Sequence, residues 1–180
     1  MRIAFITTIM NDADNLIVRG VPVTSTIVEF DDGALAIVDT GMAGNPELLE
    51  QLDDLGCRPS DFTFVFNTHL HPDHIGGNRH FTKARIIISR LEFEHQQSLE
   101  DVCHKSRPTQ DISEDALMRQ LREMRERYPV SDLVGEPGQL EFLEDHLQLP
   151  FDIKLIPAPG HSIDDHAVFL PGHTQGVLAT

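Results

Sequence analysis

The chain has 180 residues, of which 40% are hydrophobic and 24% are charged, and its formal net charge is −15. This composition is typical of a globular protein with a sizeable core. The negative charge argues against nucleic acid as a partner, because phosphate binding needs clustered Lys and Arg side chains.

Hydropathy argues against a membrane protein. No stretch of the sequence approaches the roughly 20 apolar residues that a membrane helix needs, and the apolar start of the chain becomes acidic too soon for a signal peptide. We therefore expect a cytoplasmic protein with no membrane partner. Cys57 and Cys103 stand alone, without the spacing of a redox motif, and are expected to be reduced thiols.

The first half of the chain predicts strands and one helix. Residues 23–41 predict a hairpin, because "VTSTIVEF" alternates, "DDG" is a turn and "ALAIVDTG" is apolar. Asn45 and Pro46 then predict the start of a helix with a leucine stripe that ends at Gly56. Further strands are predicted at "DFTFVFNT" (61–68) and "ARIIISR" (84–90).

The second half is more polar. Residues 91–147 predict helices broken by Pro and Gly, with an amphipathic helix over 113–128, and we interpret them as a helical insertion within a single domain of residues 1–180. "FDIKLIPAPGHS" (151–162) predicts a strand and a turn, and "HAVFLPGHTQGVLAT" (166–180) predicts a hairpin. The alternation of strands and helices predicts a layered α/β fold.

The run "NTHLHPDHIGGN" crowds three histidines and an aspartate into six positions directly after a predicted buried strand. In extended chain, side chains two positions apart point the same way, so His69 and His71 can bind one cation. Asp73 and His74 then face elsewhere and suit a second cation. Neutral imidazole with carboxylate suits zinc, iron or manganese. A solvated polar loop is the alternative, and the spacing argues against it.

These residues also carry a resemblance. "THLHPDHIGGN" resembles the His-x-His-x-Asp-His signature of the metallo-β-lactamase superfamily, and "AIVDTG" is similar to the strand and turn that precede it there. "PAPGHS" is similar to the next metal-binding segment, and the likeness covers residues from about 23 to 180. It implies a four-layer αββα sandwich with two divalent metal ions, most often zinc, at one edge of the sheets. The implied ligands are His69, His71 and His161 for the first metal, and Asp73 and His74 for the second.

The sequence departs from the family at its end. The family completes the second site with an Asp in a Thr-Gly-Asp segment and with a last His, whereas this sequence stops at "GVLAT", where that segment would begin. We expect that the natural chain continues. A one-metal protein and assembly with a partner segment are the alternatives. Uncovered sheet edges would favour association, so a homo-oligomer is one expected outcome.

Other polar residues near these motifs are not expected to bind the metals. Gly76 and Gly77 are expected where the backbone turns and approaches the site closely. Asp164 and Asp165 are predicted turn carboxylates beside His161. Four histidines that stand singly are predicted to be surface or packing residues, namely His80, His95, His104 and His146. His166, at the start of a predicted strand, and His173, in a predicted hairpin turn, are candidates for the missing ligands that we do not favour.

Two neighbouring metals can share a hydroxide that attacks an acyl or phosphoryl group, so no protein nucleophile is needed, and no Gly-x-Ser-x-Gly motif is present. Asp73 is the predicted catalytic residue, orienting the attacking water. The resemblance, nearest to the lactonase and glyoxalase II branches, implies a hydrolase of a small-molecule ester, lactone or thioester. The alternatives are a non-catalytic or redox metal-binding protein of the same fold, and a phosphodiesterase or nuclease.

Overall fold

The computed structural model describes residues 1–11, 19–105, 116–145, 147, 149–171 and 177–179. The strands of these residues are β1 Arg2–Asn11, β2 Arg19–Glu29, β3 Leu35–Val38, β4 Phe62–Phe66, β5 Arg85–Ile88, β6 Leu140–Phe142, β7 Lys154–Pro157, β8 His166–Leu170 and β9 Val177–Ala179. The helices are α1 Glu47–Asp54, α2 Pro72–Ile75, α3 Arg90–Lys105, α4 Ala116–Arg127 and α5 Val130–Leu133.

The larger sheet has six strands in the order β1-β2-β3-β4-β5-β6. β1, β2 and β3 are antiparallel neighbours, with Ile27 opposite Ile37, and the predicted hairpin is confirmed. From β3 onwards the neighbouring strands are parallel. The carboxyl ends of β3, β4 and β5 therefore lie along one edge of the sheet.

Two strands of this sheet were not predicted. In β1 the apolar residues fall on both faces, since Phe5 is 63% exposed and its neighbour Ile6 is buried, so the alternation that signals a half-buried strand is missing. β6 has three residues, which is too short for a period to show. It lies within the polar segment 91–147 and pairs in parallel with β5, so this segment contributes a strand to the larger sheet.

The smaller sheet has the order β7-β8-β9, and all its strands are antiparallel. Its β8 residues Val168 and Leu170 belong to one buried apolar cluster with Val38, Phe64 and Phe66 of the larger sheet. The two sheets therefore pack face to face. The turn predicted between β8 and β9 lies outside the described residues.

Helices cover the other face of the larger sheet. Leu48 and Leu52 of α1 and Val130 of α5 share a second buried cluster with Ile37 and Val65. The described residues thus form a helix layer and two sheet layers of the expected sandwich. Among them, no helix combines the length and apolar composition needed to cross a membrane.

The helical segment also contacts the edge of the larger sheet. α4 confirms the predicted helix from residue 116 onwards, while residues 113–115 lie outside the described residues. Met124 and Tyr128 pack against Met10 and Met42, next to the loop that follows β3. That residues 91–147 are an insertion stays a prediction.

Candidate metal centre

The predicted metal ligands lie where the two sheets meet. His69 and His71 follow β4, and His74 lies in the short helix α2, which Pro72 opens. His161 lies in the loop between β7 and β8 of the smaller sheet. The backbone N–H of His166 donates to the carbonyl of Thr68 over 2.8 Å, which ties the start of β8 to the end of β4.

Three histidines from these segments converge. One ring nitrogen from each of His69, His71 and His161 lies within 4.8 Å of the other two. His71 Nδ1 and His161 Nε2 are 3.1 Å apart. His69 Nε2 is buried and has no hydrogen-bond partner among the described residues. The structure therefore gathers the three residues that were predicted to share the first metal.

Asp39 organises the residues around this cluster. It directly follows β3, adopts a φ of 58°, and is almost fully buried. Its carboxylate accepts hydrogen bonds from the Thr68 N–H at 2.9 Å and from the Thr68 hydroxyl at 2.7 Å. His74 Nδ1 lies 2.8 Å from Asp39 Oδ2, so the same carboxylate also orients His74.

The Asp39–Thr68 contact decides the tautomer of His69. The Thr68 hydroxyl has one hydrogen and donates it to Asp39, so at its 3.1 Å contact with His69 Nδ1 it must accept. Nδ1 therefore carries the ring hydrogen, and Nε2 presents a free lone pair to His71 and His161. Burial, together with the neighbouring His74 and His71, lowers the pKa of His69 to about 2. His69 is thus neutral at physiological pH, which is the form that binds metals.

The pKa values of the two neighbouring imidazoles, His71 and His74, are shifted in opposite directions. Burial, followed by the charge of His161, lowers the pKa of His71. Burial also acts to lower the pKa of His74, but the hydrogen bond and charge of Asp39 outweigh it, and the net effect raises that pKa. His71 is thus held neutral like His69, whereas His74 is half of a histidine–carboxylate pair.

Asp73 and His74 lie beside each other, and the His74 ring also packs against the three-histidine cluster, with its centroid 4.1 Å from that of His69. His74 Nε2 is 3.6 Å from Asp73 Oδ2, and both side chains are partly exposed. The centroids of His71 and His161 lie 4.6 and 4.9 Å from that of His69, so His74 is as close to His69 as these two rings are. The assignment of these two residues to a second metal stays a prediction, as does the catalytic role of Asp73.

A carboxylate also shapes the loop that carries His161. Asp165 Oδ2 accepts hydrogen bonds from the backbone N–H groups of His161 and Ser162, and Oδ1 accepts one from the Ser162 hydroxyl. Burial opposes ionisation, yet these hydrogen bonds lower the pKa of Asp165 to about 2. Asp165 is therefore a turn carboxylate, as predicted, and its three hydrogen bonds hold the backbone of His161 in place.

The two glycines after the histidines are required by close packing. A Cβ on Gly76 would lie 2.0 Å from the Ala43 nitrogen, and one on Gly77 would lie 2.4 Å from the Thr40 carbonyl oxygen. Their φ angles, −61° and −91°, are ordinary. The close approach is to the loop after β3 and not to the cluster, where it was expected.

A cavity of about 390 Å³ opens beside the cluster, and its lining includes His69, His74, His161 and His166. His166 Nδ1 lies 2.9 Å from the Asp164 carbonyl, and His166 joins no group of three candidate ligands among the described residues. His80 and His95 join none either. The side chain of His104 and the residues His146 and His173 lie outside what the structure describes.

Sequence reasoning missed the roles of Asp39 and Thr68. Asp39 stands within the quoted "AIVDTG", and an acidic residue at the end of an apolar strand was a usable signal. Its partners were not visible, because they lie 29 and 35 positions along the chain. The donor set fits a divalent transition metal, since it combines neutral imidazole nitrogens with a buried lone pair that no group of the described residues uses.

Comparison with known proteins agrees with this geometry. The family model of the metallo-beta-lactamase superfamily matches residues 18–174. An N-acyl homoserine lactonase of Bacillus cereus is 31% identical over 44% of this chain and 41% of its own length. A hydroxyacylglutathione hydrolase of a Synechococcus strain is 36% identical over 34% of this chain and 24% of its own length. The chain thus spans less than half of these curated relatives.

Solved structures show the same fold. AidC, a dizinc quorum-quenching lactonase in complex with a product, superimposes with a TM-score of 0.63 at 21% identity, covering 87% of this chain and 55% of that one. The likeness to lactonase and glyoxalase II-like proteins is the one predicted from "THLHPDHIGGN" and "PAPGHS". The chain belongs to the metallo-β-lactamase superfamily.

Proposed function

We propose that this chain carries the metal centre of a metal-dependent hydrolase that opens small lactones. The convergence of His69, His71 and His161, with the free lone pair of His69 Nε2 buried between them, is the observation that carries the proposal. These three residues would hold the first ion, which we propose to be zinc, and Asp73 and His74 would contribute to a second.

A divalent ion held there would polarise the carbonyl group under attack and activate water for the attack. The residues of the chain supply the rest. Asp39 keeps His69 and His74 in fixed tautomers, and Asp165 holds the loop of His161. Asp73 would accept a proton from the attacking water, a role supported by the position of its carboxylate 3.6 Å from His74 Nε2.

Similarity supports a lactone as the substrate class. Curated relatives with about 30% identity are N-acyl homoserine lactonases. Thioester hydrolysis is the second candidate, favoured by the similarity to a hydroxyacylglutathione hydrolase. Both reactions place the same demand on the site, which is attack of water on an acyl carbon.

A substrate panel tests the proposal. The protein expressed from its natural reading frame, purified without chelator, should contain zinc, iron or manganese. It should hydrolyse an N-acyl homoserine lactone fastest, an acyl-glutathione thioester more slowly, and a phosphodiester or a cephalosporin hardly at all. Turnover dominated by the phosphodiester would favour a nuclease, and activity that survives metal removal would contradict a metal-dependent hydrolase.

A further inference from the structure

The loop that carries His161 is held by hydrogen bonds more than by burial. Residues 156–161 are all exposed, and so is Ile163, so apolar packing does little to fix this part of the chain. The Ala158 N–H donates to the Asp165 carbonyl at 2.7 Å, which closes the loop on itself. The position of the loop relative to the larger sheet therefore depends on the hydrogen bonds that cross between the two sheets.

The base of this loop is tied to the larger sheet by hydrogen bonds at neighbouring positions. The His166 N–H donates to the carbonyl of Thr68, after β4. The Ser89 hydroxyl lies 2.5 Å from Asp164 Oδ2, and Ser89 directly follows β5. The loop is thus attached to the carboxyl ends of two adjacent strands, and the Ser89–Asp164 bond joins two side chains.

The Ser89 hydroxyl has one hydrogen, and the geometry decides where it goes. The hydroxyl accepts the Glu92 N–H at 3.0 Å, as the N-cap residue of α3 does. Two carboxylates lie within reach of its hydrogen, with Asp164 Oδ2 at 2.5 Å and Glu144 Oε1 at 3.5 Å. Glu144 instead accepts two backbone N–H groups of the first turn of α3. The Ser89 hydrogen therefore goes to Asp164, and Ser89 is buried.

Asp164 links this anchor to His161. The next residue is Asp165, whose carboxylate accepts the backbone N–H groups of His161 and Ser162. The peptide unit between Asp164 and Asp165 is planar and stiff. Fixing the Asp164 side chain therefore restricts where the Asp165 carboxylate lies, and that carboxylate holds the backbone of a predicted metal ligand.

We propose that Ser89 is a positioning residue of the metal centre, whose hydroxyl holds the His161 loop through Asp164 where His161 can share a cation with His69 and His71. The inference rests on the proposed function. A ligand on an unanchored loop loses conformational freedom when it binds the ion, and this loss opposes binding. The Ser89–Asp164 hydrogen bond removes that freedom before the ion arrives.

The test compares variants on both sides of this hydrogen bond. Ser89→Gly removes the hydroxyl, and glycine is tolerated as an N-cap residue, so α3 should keep its start. Asp164→Ala removes the acceptor, whereas Asp164→Asn keeps an oxygen that can accept the same bond. Glu144→Ala is the matched control, because it weakens the same helix N-terminus and leaves the Ser89–Asp164 bond in place.

The first measurement uses metal-free protein and follows the amide hydrogen exchange of His161 and Ser162 by NMR. S89G and D164A should each speed this exchange about 5- to 10-fold, the effect of losing one hydrogen bond that restrains the loop. D164N and E144A should match the wild type. If Ser89 only capped α3, these two amides would exchange at the wild-type rate in S89G.

The second measurement is zinc affinity, by titration against a competing chelator. S89G and D164A should each bind zinc about 5- to 10-fold more weakly than the wild type. The double variant S89G/D164A should lose no more than either single variant, because all three lack the same bond. Losses that multiply in the double variant would show that the two residues act independently, and would contradict the inference.

The outcomes separate this inference from the proposed function. If the wild type binds zinc and S89G matches its affinity, or if E144A loses as much as S89G, the role of Ser89 is wrong and the metal site stands. If S89G does not fold, D164A and D164N make the same comparison from the other side of the bond. If the wild type binds no zinc, the proposed function fails, and the inference fails with it.

Discussion

At the scale of single residues, Asp39 orients two histidines of the site, although the sequence did not predict a role for it. One carboxylate receives the Thr68 N–H, the Thr68 hydroxyl and His74 Nδ1, and so fixes the ring states of two histidines. Its left-handed backbone is a cost that the surrounding hydrogen bonds offset. A metal centre prepared in this way needs little rearrangement when it binds an ion.

Replacing Asp39 should therefore weaken metal binding although Asp39 is not a predicted ligand. Asn replaces one carboxylate oxygen by an NH2 group, so Asp39→Asn loses either the acceptor of the Thr68 N–H or the acceptor that the Thr68 hydroxyl and His74 share, and it loses the charge. We expect zinc affinity to fall by about 10- to 100-fold. The control is Asp54→Asn, at the exposed end of α1. Chelator competition measures both variants, and equal affinity in Asp39→Asn and the wild type would refute this role.

The buried imidazole of His69 predicts how stability depends on pH in the metal-free protein. Its pKa falls from 6.5 to about 2 on folding, so below pH 6.5 the unfolded chain binds a proton that the folded chain does not. The free energy of unfolding should therefore decrease as the pH falls from 6.5 towards 2. His74, whose pKa is raised, contributes a pH dependence of the opposite sign to the free energy of unfolding. His74 is present both in the wild type and in the variant described next.

The substitution His69→Gln removes this titration. Urea unfolding of the metal-free wild type and variant between pH 7 and pH 4 should give a flatter pH dependence for the variant. Parallel pH profiles of the two proteins would show that His69 is not held neutral by the fold.

At the scale of elements, the site depends on how closely the loop after β3 packs on α2. The Thr40 N–H donates to the His74 carbonyl at 2.7 Å, and the Thr40 hydroxyl donates to Asn78 Oδ1 at 2.8 Å. Asn78 is fully buried and donates in turn to the Val134 carbonyl, at the end of α5. The histidine-bearing turn is thus held between the sheet edge and the helix layer.

A methyl group at Gly76 should break this contact. Its Cβ would lie 2.0 Å from the Ala43 backbone nitrogen, which cannot move without displacing the loop after β3. We expect Gly76→Ala to lower the free energy of unfolding by about 2 kcal/mol or more. Gly138→Ala is the matched control, because a Cβ there would meet nothing within 4 Å. Thermal unfolding of both variants checks this, and equal effects would contradict the packing argument.

At the scale of the whole molecule, the centre joins two sheets. His69 and His71 come from the larger sheet and His161 from the smaller, so the three-histidine cluster forms only when the sheets are packed. A metal that binds the folded protein and not the unfolded chain should therefore stabilise the packed state.

The 180-residue chain should bind one zinc ion tightly. Three imidazole nitrogens surround the first position, whereas Asp73 and His74 are the two residues predicted for the second, and fewer ligands bind a divalent ion more weakly. His161→Ala should abolish tight binding, and Asp73→Ala should leave it largely intact. Calorimetric titration of zinc into the metal-free proteins gives the stoichiometry. Equal losses in the two variants, or two tight ions in the wild type, would show that the partition is wrong.

What the sequence by itself determined is local. The hairpin of residues 23–41, the helix that ends at Gly56 and the types of ligand in "HLHPDH" follow from side-chain chemistry and from spacings of a few residues. His161 was identified by resemblance to a family motif, since no local spacing connects it with His69 and His71.

Only the tertiary structure decided which distant groups meet. Asp39 reaches His74 across 35 positions, and the hydroxyl of Ser89, just before α3, donates to the Asp164 carboxylate in the loop of His161. β6 becomes a strand because β5 offers it a free edge, although its three residues carry no period of their own. The physical reason is the same in each case. Contacts between remote segments depend on the register and packing of the two sheets, which no short stretch of sequence specifies.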